Sequence, residues 1–275
     1  WPTAKKHVTV SGEGFAGAAL NIYILASTAL NVNTNTTFKN LVFASTEAGD
    51  ADKVGRINAM GNVVTLEESV STRGIFGSFY GGAANNWSKV EKTESYVYGG
   101  NFSRIFGGGG QVLGDCILTV GGNTNINGYG HPSDESNKFA PIIYGGTYDN
   151  TVEGDCITTI TGSAEARMLY GGSLDVRGNA DRGAGVKGKT VVNIQGGKFM
   201  NVYGMNPPSS KESGGTVDYS SYVTINMTGG TVEALIGSSG DTNTTAINGT
   251  VTINAVGGTV TRRIIGGVYN EDGWN

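Results

Sequence analysis

An internal repeat, made of one strand pattern, a glycine corner and a second strand pattern, most constrains how this chain can fold. It is clearest over 250–267, TVTINAVGGTVTRRIIGG, and earlier copies occupy 222–237 and 191–204. Before the paired glycines, apolar and polar residues alternate, which is the period of a strand with one buried face. Repeats of about 20 to 50 residues are typical of solenoids, propellers and arrays. The chain is therefore predicted to consist of many similar coils.

The spacing of the glycine corners indicates where the repeats differ from one another. The corners that close the first strand end at residues 122, 162, 197, 230 and 258, so successive intervals are 40, 35, 33 and 28 residues. Because the strand patterns keep their length, the variation is predicted to lie in one loop per repeat. The predicted loops are rich in Gly, Ser, Asn and Asp and cover 127–139, 174–188, 205–215 and 238–248.

The repeat length selects one architecture. A WD40-type blade needs about four strands in about 40 to 45 residues, more than the 28-residue interval holds. No segment has the apolar period of a helix. We predict an all-β fold, a single-stranded right-handed parallel β-helix of roughly 7 to 9 coils, with equivalent strands stacked about 4.8 Å apart. Inward side chains of one coil then stack on those of the next, with Val223, Ile225 and Met227 on Val251, Ile253 and Ala255.

The coil pattern, close to TVxINxxGGTVxxxIxGG, resembles the glycine-rich β-helical modules of large bacterial surface proteins and adhesins, on the pectin-lyase-like right-handed β-helix. The resemblance covers roughly residues 63 to 270. It implies a secreted or cell-surface location within a larger protein. It also implies a role as a structural stalk or adhesive module that binds a polysaccharide or a host surface protein through its variable loops.

The first 62 residues are the least repetitive part of the chain. They are predicted to form an N-terminal cap and the first coil or coils, and 63–275 to form the repetitive β-helix of the same domain. Within 1–62, the alternating runs 8–10 and 36–44 are predicted strands. The apolar run 18–26 lacks a basic leader and a small-residue cleavage site, so it is also predicted to be a strand rather than a signal peptide.

Composition argues against several classes of partner. Glycine makes up 46 of the 275 residues, well above a typical share of about 7%, as many tight corners require. Charged residues make up 15%, with 19 basic and 23 acidic and a net charge of −4, so no basic stripe is available for nucleic acid. No apolar run approaches the about 18 residues that span a bilayer, so no membrane insertion is predicted for this segment.

Two cysteines occur in matching contexts, GDCI at 114–117 and at 154–157. Since they are one coil apart, Cys116 and Cys156 are predicted to share the first inward position, with Cα atoms about 5 Å apart and within disulfide range. A reduced stacked pair is favoured and a disulfide is the alternative, because parallel in-register strands suit the bond poorly. The two histidines, His7 and His131, lie outside any ligand spacing, so neither a metal site nor a cofactor is predicted.

Tyrosine recurs just before the corner that closes the second strand, at Tyr80, Tyr98, Tyr144, Tyr170 and Tyr203. Such a row would stack against sugar rings, which makes Tyr144, Tyr170 and Tyr203 candidate binding residues. The alternative is that each ring packs on the ring of the next coil. The replacement of tyrosine by isoleucine at residues 236 and 265 favours packing.

The distribution of acidic residues argues against catalysis. The resemblance implies that lyases on this fold carry several outward carboxylates, and glycosidases need a pair about 5 to 9 Å apart. Asp115 and Asp155, one coil apart, are a candidate binding pair, although each is favoured to accept a bond from its own backbone at a strand start. Other acids are single and scattered, at Glu165, Glu233 and Asp241, and the outward positions of the first strands are neutral, at Thr159, Asn193, Thr224, Asn226, Thr252 and Asn254. The sequence predicts a non-catalytic surface module without catalytic residues. A polysaccharide lyase or glycoside hydrolase, with its site in a groove formed by the long loops, is the alternative.

Overall fold

The computed structural model describes residues 6–13, 20–25, 28–45, 55–74, 76–84, 88–126, 141–148, 150–173, 185–205, 222–238 and 249–267. Within them every regular element is a β-strand. The first twelve are β1 (His7–Ser11), β2 (Leu20–Ile24), β3 (Ala29–Asn31), β4 (Asn35–Lys39), β5 (Leu41–Ser45), β6 (Arg56–Asn58), β7 (Val63–Leu66), β8 (Ser71–Thr72), β9 (Phe76–Tyr80), β10 (Lys89–Val90), β11 (Thr93–Val97) and β12 (Asn101–Phe106). The others are β13 (Gln111–Val112), β14 (Cys116–Val120), β15 (Asn125–Ile126), β16 (Ile142–Tyr144), β17 (Thr151–Val152), β18 (Cys156–Ile160), β19 (Glu165–Tyr170), β20 (Gly185–Val186), β21 (Thr190–Ile194), β22 (Lys198–Tyr203), β23 (Tyr222–Ile236) and β24 (Thr250–Ile265).

Equivalent strands of successive coils form columns of parallel pairs. The first column contains β1, β4, β7, β11, β14, β18, β21 and the starts of β23 and β24. The second column contains β3, β6, β9, β12, β15 with β16, β19, β22 and the ends of β23 and β24. A short third column contains β10, β13, β17 and β20. From β10 to β22 the chain visits the third, first and second columns in turn, so the predicted all-β parallel β-helix is confirmed.

The alternating sequence of the first strands sets their register. Val223 pairs with Val251, Ile225 with Ile253 and Met227 with Ala255, as predicted. The three side chains of β23 are buried, whereas the intervening side chains at residues 224 and 226 remain partly exposed. Each inward side chain is therefore covered by its counterpart one coil away.

Two kinds of glycine corner turn the chain, for two different reasons. Gly122 and its counterparts at residues 162, 197, 230 and 258 have positive φ angles, from 56° to 82°, which side chains rarely adopt. Gly107 lies at a corner that closes a second-column strand. It allows the backbones of two successive coils to approach closely, because a Cβ there would lie 2.0 Å from the carbonyl oxygen of Gly145. Both corners lie where the sequence places them.

The N-terminal residues join the same stack. β1 and β4 pair in register with the first column, on the N-terminal side of the expected boundary at residue 62. The run 36–44, expected as one strand, is divided between β4 and β5, because Asn40 makes a one-residue corner with φ of 51°. The strand expected within 18–26 is present as β2.

The variable loops fall mainly outside the described residues. This applies to all of 127–139 and to most of 174–188, 205–215 and 238–248. In the part of the chain that is described, no helix is long and apolar enough to cross a membrane.

Candidate binding groove

The tyrosines before the second corners belong to a buried aromatic stack in the second column. Adjacent ring centroids are 4.7 to 5.6 Å apart, and the rings are inclined by 2° to 11°. The rings, each 7% exposed or less, belong to Tyr80, Phe106, Tyr144, Tyr170 and Tyr203. Because Tyr144 and Tyr170 each contact a ring on both faces, neither has a face available for a sugar. Burial also raises the pKa of Tyr144.

Tyr98 does not belong to this stack, so its assignment to the row was wrong. Phe106 lies between Tyr80 and Tyr144 in register. Tyr98 instead follows the first-column strand β11. The following pair, Gly99-Gly100, is a corner of the first kind, since Gly100 has φ of 100°. In the sequence alone, the two kinds of glycine corner look alike.

The cysteines lie side by side in a small cluster between the third and first columns. Cys116 and Cys156 are partners in register, fully buried and free. Their Sγ atoms donate to the carbonyl oxygens of Gly145 and Gly171, each at 3.0 Å. The neighbouring Cys116 side chain, together with burial, raises the pKa of the Cys156 thiol, which keeps it protonated and unreactive. Their place in the fold is structural.

The two aspartates beside the cysteines form a ladder with the backbone of the next coil. Asp115 Oδ1 accepts a hydrogen bond from the N–H of Asp155 (2.9 Å), and Asp155 Oδ1 accepts one from the N–H of Lys189 (2.8 Å). From the sequence, each aspartate is favoured to accept a hydrogen bond from the backbone of its own strand start. In the structure the donating N–H belongs to the next coil. A Cβ at Gly154 or Gly188 would lie 2.4 or 2.5 Å from these oxygens. Each of these two glycines thus makes room for the aspartate carboxylate of the preceding coil.

The neutral outward positions of the first column form an amide ladder. Asn193 Nδ2 donates to Thr159 Oγ1 at 3.3 Å. Asn226 Nδ2 donates to Asn193 Oδ1, and Asn254 Nδ2 to Asn226 Oδ1, both at 2.9 Å. Each inner asparagine therefore donates to one coil and accepts from the next. Its hydrogen-bonding capacity is largely used within the row.

A groove of about 390 Å³ lies on the outer face of the second column, beside the insertion that separates β15 from β16. Ile126 pairs with Phe102 before the insertion, and Ile142 pairs with Arg104 after it. The backbone N–H groups of Arg167 and Met168 donate to the carbonyl oxygen of Pro141, at 3.0 and 3.3 Å. Pro141, the first described residue after the insertion, therefore lies opposite Arg167 and lines the groove.

Four charged side chains from three successive coils line this groove: Glu165, Arg167, Lys198 and Glu233. Glu165 pairs in register with Lys198, which pairs with Thr231, two residues before Glu233. None of the four forms an ion pair with another described residue. The groove thus presents two cations and two carboxylates that are available to a ligand.

The sequence contains a signal for this groove, although the acids there look scattered. Counting back from Tyr170, Tyr203 and Ile236 aligns the coils. Five residues earlier lie Glu165, Lys198 and Thr231, and three residues earlier lie Arg167, Met200 and Glu233. Counting forward from the first corner misses this alignment, because the corner-to-strand distance differs between coils.

No known family, curated protein or solved structure matches the chain. Among the described side chains, no three from His, Cys, Asp and Glu lie close enough to hold a metal ion. The groove, with its charged residues, is the best-defined candidate site in the described part of the molecule.

Proposed function

We propose that this chain is a non-catalytic module of a secreted or cell-surface protein, a structural stalk that binds a polysaccharide or a host surface protein through the groove. The observation that carries the proposal is the meeting of Glu165, Arg167, Lys198 and Glu233 from three coils in one open groove. Strands hold these residues at fixed spacing, so little ordering is needed when a ligand binds. A β-helix is also long and rigid, as a stalk requires.

The proposal includes a family and a location. The coil pattern TVxINxxGGTVxxxIxGG supports placing the chain with the glycine-rich β-helical modules of bacterial surface proteins, on the pectin-lyase-like fold. Such modules are parts of larger proteins outside the cell. Antibody labelling of intact cells that produce the chain in its natural protein context tests the location: surface labelling is expected, and labelling only after lysis contradicts it.

The charges in the groove favour a ligand that carries anionic groups together with hydroxyl groups. Arg167 offers a planar pair of N–H donors to a carboxylate or sulfate, and Lys198 adds a second positive charge. Glu165 and Glu233 accept hydrogen bonds from hydroxyl or amino groups. An acidic polysaccharide satisfies both kinds of group at once.

A carbohydrate-active enzyme is the second candidate, because two carboxylates line the same groove. Glu165 and Glu233 stand two coils apart, about 9.6 Å along the stack. Their positions in the aligned strands also differ by two residues, about 6.6 Å along the strand. Carboxyl groups of inverting glycosidases are about 6.5 to 9.5 Å apart. Both side chains would have to lean toward each other to reach that separation, so binding without catalysis is the preferred function.

A glycan array together with a depolymerisation screen tests both candidates. The wild-type protein is expected to bind one or more acidic glycans without releasing products. R167A/K198A should weaken this binding at least about tenfold, the equivalent of about 1.4 kcal/mol. The matched control K89A/K189A, which removes two exposed charges outside the groove, should bind as the wild type does.

The enzyme candidate has a different outcome in the same screen. New reducing ends or unsaturated products would appear with the wild-type protein and disappear with E165Q or E233Q. Acidic-glycan binding that survives in R167A/K198A would contradict the assignment of the groove.

A further inference from the structure

A second exposed feature, made by Tyr96 and Tyr98, lies on the outer face of the first column. The two residues are two positions apart in and just after β11, so their side chains lie on the same face of the sheet. Their ring centroids are 6.4 Å apart and the rings are inclined by 26°. Both side chains are partly exposed, unlike the rings of the buried stack.

The surroundings of this tyrosine pair are small side chains. Tyr96 lies in register between Thr65 and Thr119. Beside Tyr98 lies Gly121, where a Cβ would be 3.2 Å from the Tyr98 ring. The rings are therefore the largest groups on this part of the sheet, and their neighbours leave room for a ligand to lie across them.

A hydrogen bond holds the Tyr96 side chain in place, and two carboxylates lie near the pair. The Tyr96 hydroxyl donates to Glu94 Oε1 at 2.9 Å. This bond raises the pKa of Tyr96, which keeps the hydroxyl protonated. Lys92 Nζ lies 3.6 Å from Glu94 Oε2 and offsets its charge. On the other side, Glu68 approaches Gly122, where a Cβ would lie 2.8 Å from Glu68 Oε1.

We propose that Tyr96 and Tyr98 form a platform that binds a neutral glycan chain. The apolar C–H face of a sugar ring stacks on a tyrosine ring, and sugar hydroxyls donate to the carboxylates of Glu68 and Glu94. The carboxylates of Glu68 and Glu94 disfavour an acidic glycan, because like charges repel and Lys92 offsets only one of the two. The proposal rests on the proposed function in taking a saccharide as the ligand, but it uses a different face of the coil from the groove.

A glycan explains these features better than a protein partner does. A stable protein interface buries about 1,200 to 2,000 Å² around a cluster of apolar residues. Here the two rings are bordered by threonine, glycine and carboxylate groups, which offer hydrogen bonds instead. Two stacked rings with polar neighbours match a ligand that has an apolar face and many hydroxyl groups.

Affinity electrophoresis in native gels tests the proposal. The gels contain a neutral polysaccharide (a β-glucan, a galactomannan or hydroxyethyl cellulose) or acidic polygalacturonate. At least one neutral polysaccharide should retard the wild-type protein. Y96A/Y98A should lose at least about tenfold in apparent affinity, whereas Y96F/Y98F, which keeps the rings, should bind within about threefold of the wild type, less than 1 kcal/mol. Circular dichroism checks that each variant is folded.

Two controls separate this platform from the groove. Y222A removes an exposed tyrosine elsewhere, 57% exposed, and should bind neutral glycans normally. R167A/K198A should also bind them normally, even if it loses acidic glycans. The platform is overturned if no neutral polysaccharide retards the wild-type protein, or if folded Y96A/Y98A is retarded as strongly. It is also overturned if Y96A/Y98A instead loses a protein partner. If the platform is overturned but R167A/K198A alone still loses acidic glycans, the proposed function of the groove stands.

Discussion

The buried aromatic stack and the exposed tyrosine pair use the same residue type in adjacent columns, with opposite results. Tyr144 and Tyr170 recur at one position of successive coils, so each ring meets another ring and is buried. Tyr96 occurs once in its row, between Thr65 and Thr119, and remains partly exposed. A recurring side chain is satisfied by its own copies. A side chain that occurs once and lacks a matching neighbour, such as the ring of Tyr96, is left available to a ligand.

The same distinction separates the amide ladder from the groove. Asn193 and Asn226 bond to each other, whereas Arg167 and Lys198 have no ion-pair partner among the described residues. We therefore expect stability to depend on recurring positions and binding on positions that depart from the repeat.

The largest expected loss of stability comes from substituting a corner glycine that packs against the equivalent glycine of the next coil. In Gly107→Ala the new Cβ would lie 2.0 Å from the Gly145 carbonyl oxygen, so the backbone must shift. We expect a loss of more than about 4 kcal/mol in the free energy of unfolding, or failure to fold. Gly266→Ala, at the equivalent corner of β24 with no atom within 4 Å, should change it by less than about 0.5 kcal/mol. Denaturant unfolding measures both, and equal effects would contradict the explanation by close approach.

The next effect compares the two groups of tyrosines. Tyr170→Ala removes a buried ring that contacts two others, and should cost about 3 to 5 kcal/mol. Tyr98→Ala removes a partly exposed ring and should cost less than about 1 kcal/mol. Thermal unfolding followed by circular dichroism checks the difference. A larger loss in Tyr98→Ala would mean that the exposed pair is part of the scaffold.

A smaller effect is expected at the aspartate ladder. Asp155→Ala leaves the N–H of Lys189 without its carboxylate acceptor, which should cost about 1 to 2 kcal/mol. The control Glu165→Ala removes a groove carboxylate that has no ion pair among the described residues, and should cost less than about 0.5 kcal/mol. Urea unfolding at neutral pH measures the pair. If Glu165→Ala were the more destabilising, the groove would be a structural element.

The smallest effect concerns a single carboxylate that complementary neighbours satisfy. Hydrogen bonds from Lys187 Nζ (2.7 Å) and from Gln111 Nε2 (3.1 Å) lower the pKa of Glu153. Because the folded pKa lies below the unfolded one, this stabilisation is present above the unfolded pKa and is lost as the pH falls through the folded pKa. Glu153→Gln should therefore reduce the acid dependence of stability by less than about 1 kcal/mol. Denaturant unfolding at several pH values between neutral and acidic measures this. If the free energy of unfolding changed equally with pH in the wild type and in Glu153→Gln, the explanation would be wrong.

The sequence predicts the stack well because each inward residue has a copy at a constant distance from a glycine corner. It predicts the pairing of Ile225 with Ile253 from that distance alone. It fails where the backbone angle decides, as at Asn40, which divides one apolar run into two strands, and at Gly100, which makes Tyr98 a first-column residue.

The groove was missed for another physical reason. Its residues lie at unequal distances from their first corners, because Glu165 is three residues after Gly162 whereas Lys198 is one residue after Gly197. The groove residues fall at equal distances only when they are counted back from the buried aromatic stack. That this row of rings is a packed column is known from the structure. A site on a solenoid is thus a property of register between coils rather than of any one segment.

The most direct test compares two exposed pairs on one glycan array, R167A/K198A from the groove and N193A/N226A from the recurring amide ladder. Both variants change two partly or fully exposed polar side chains, so both should stay folded. We expect N193A/N226A to keep the wild-type binding pattern and R167A/K198A to lose its acidic glycans by at least about tenfold. If N193A/N226A lost binding while R167A/K198A kept it, the claim that binding resides outside the repeating positions would be wrong.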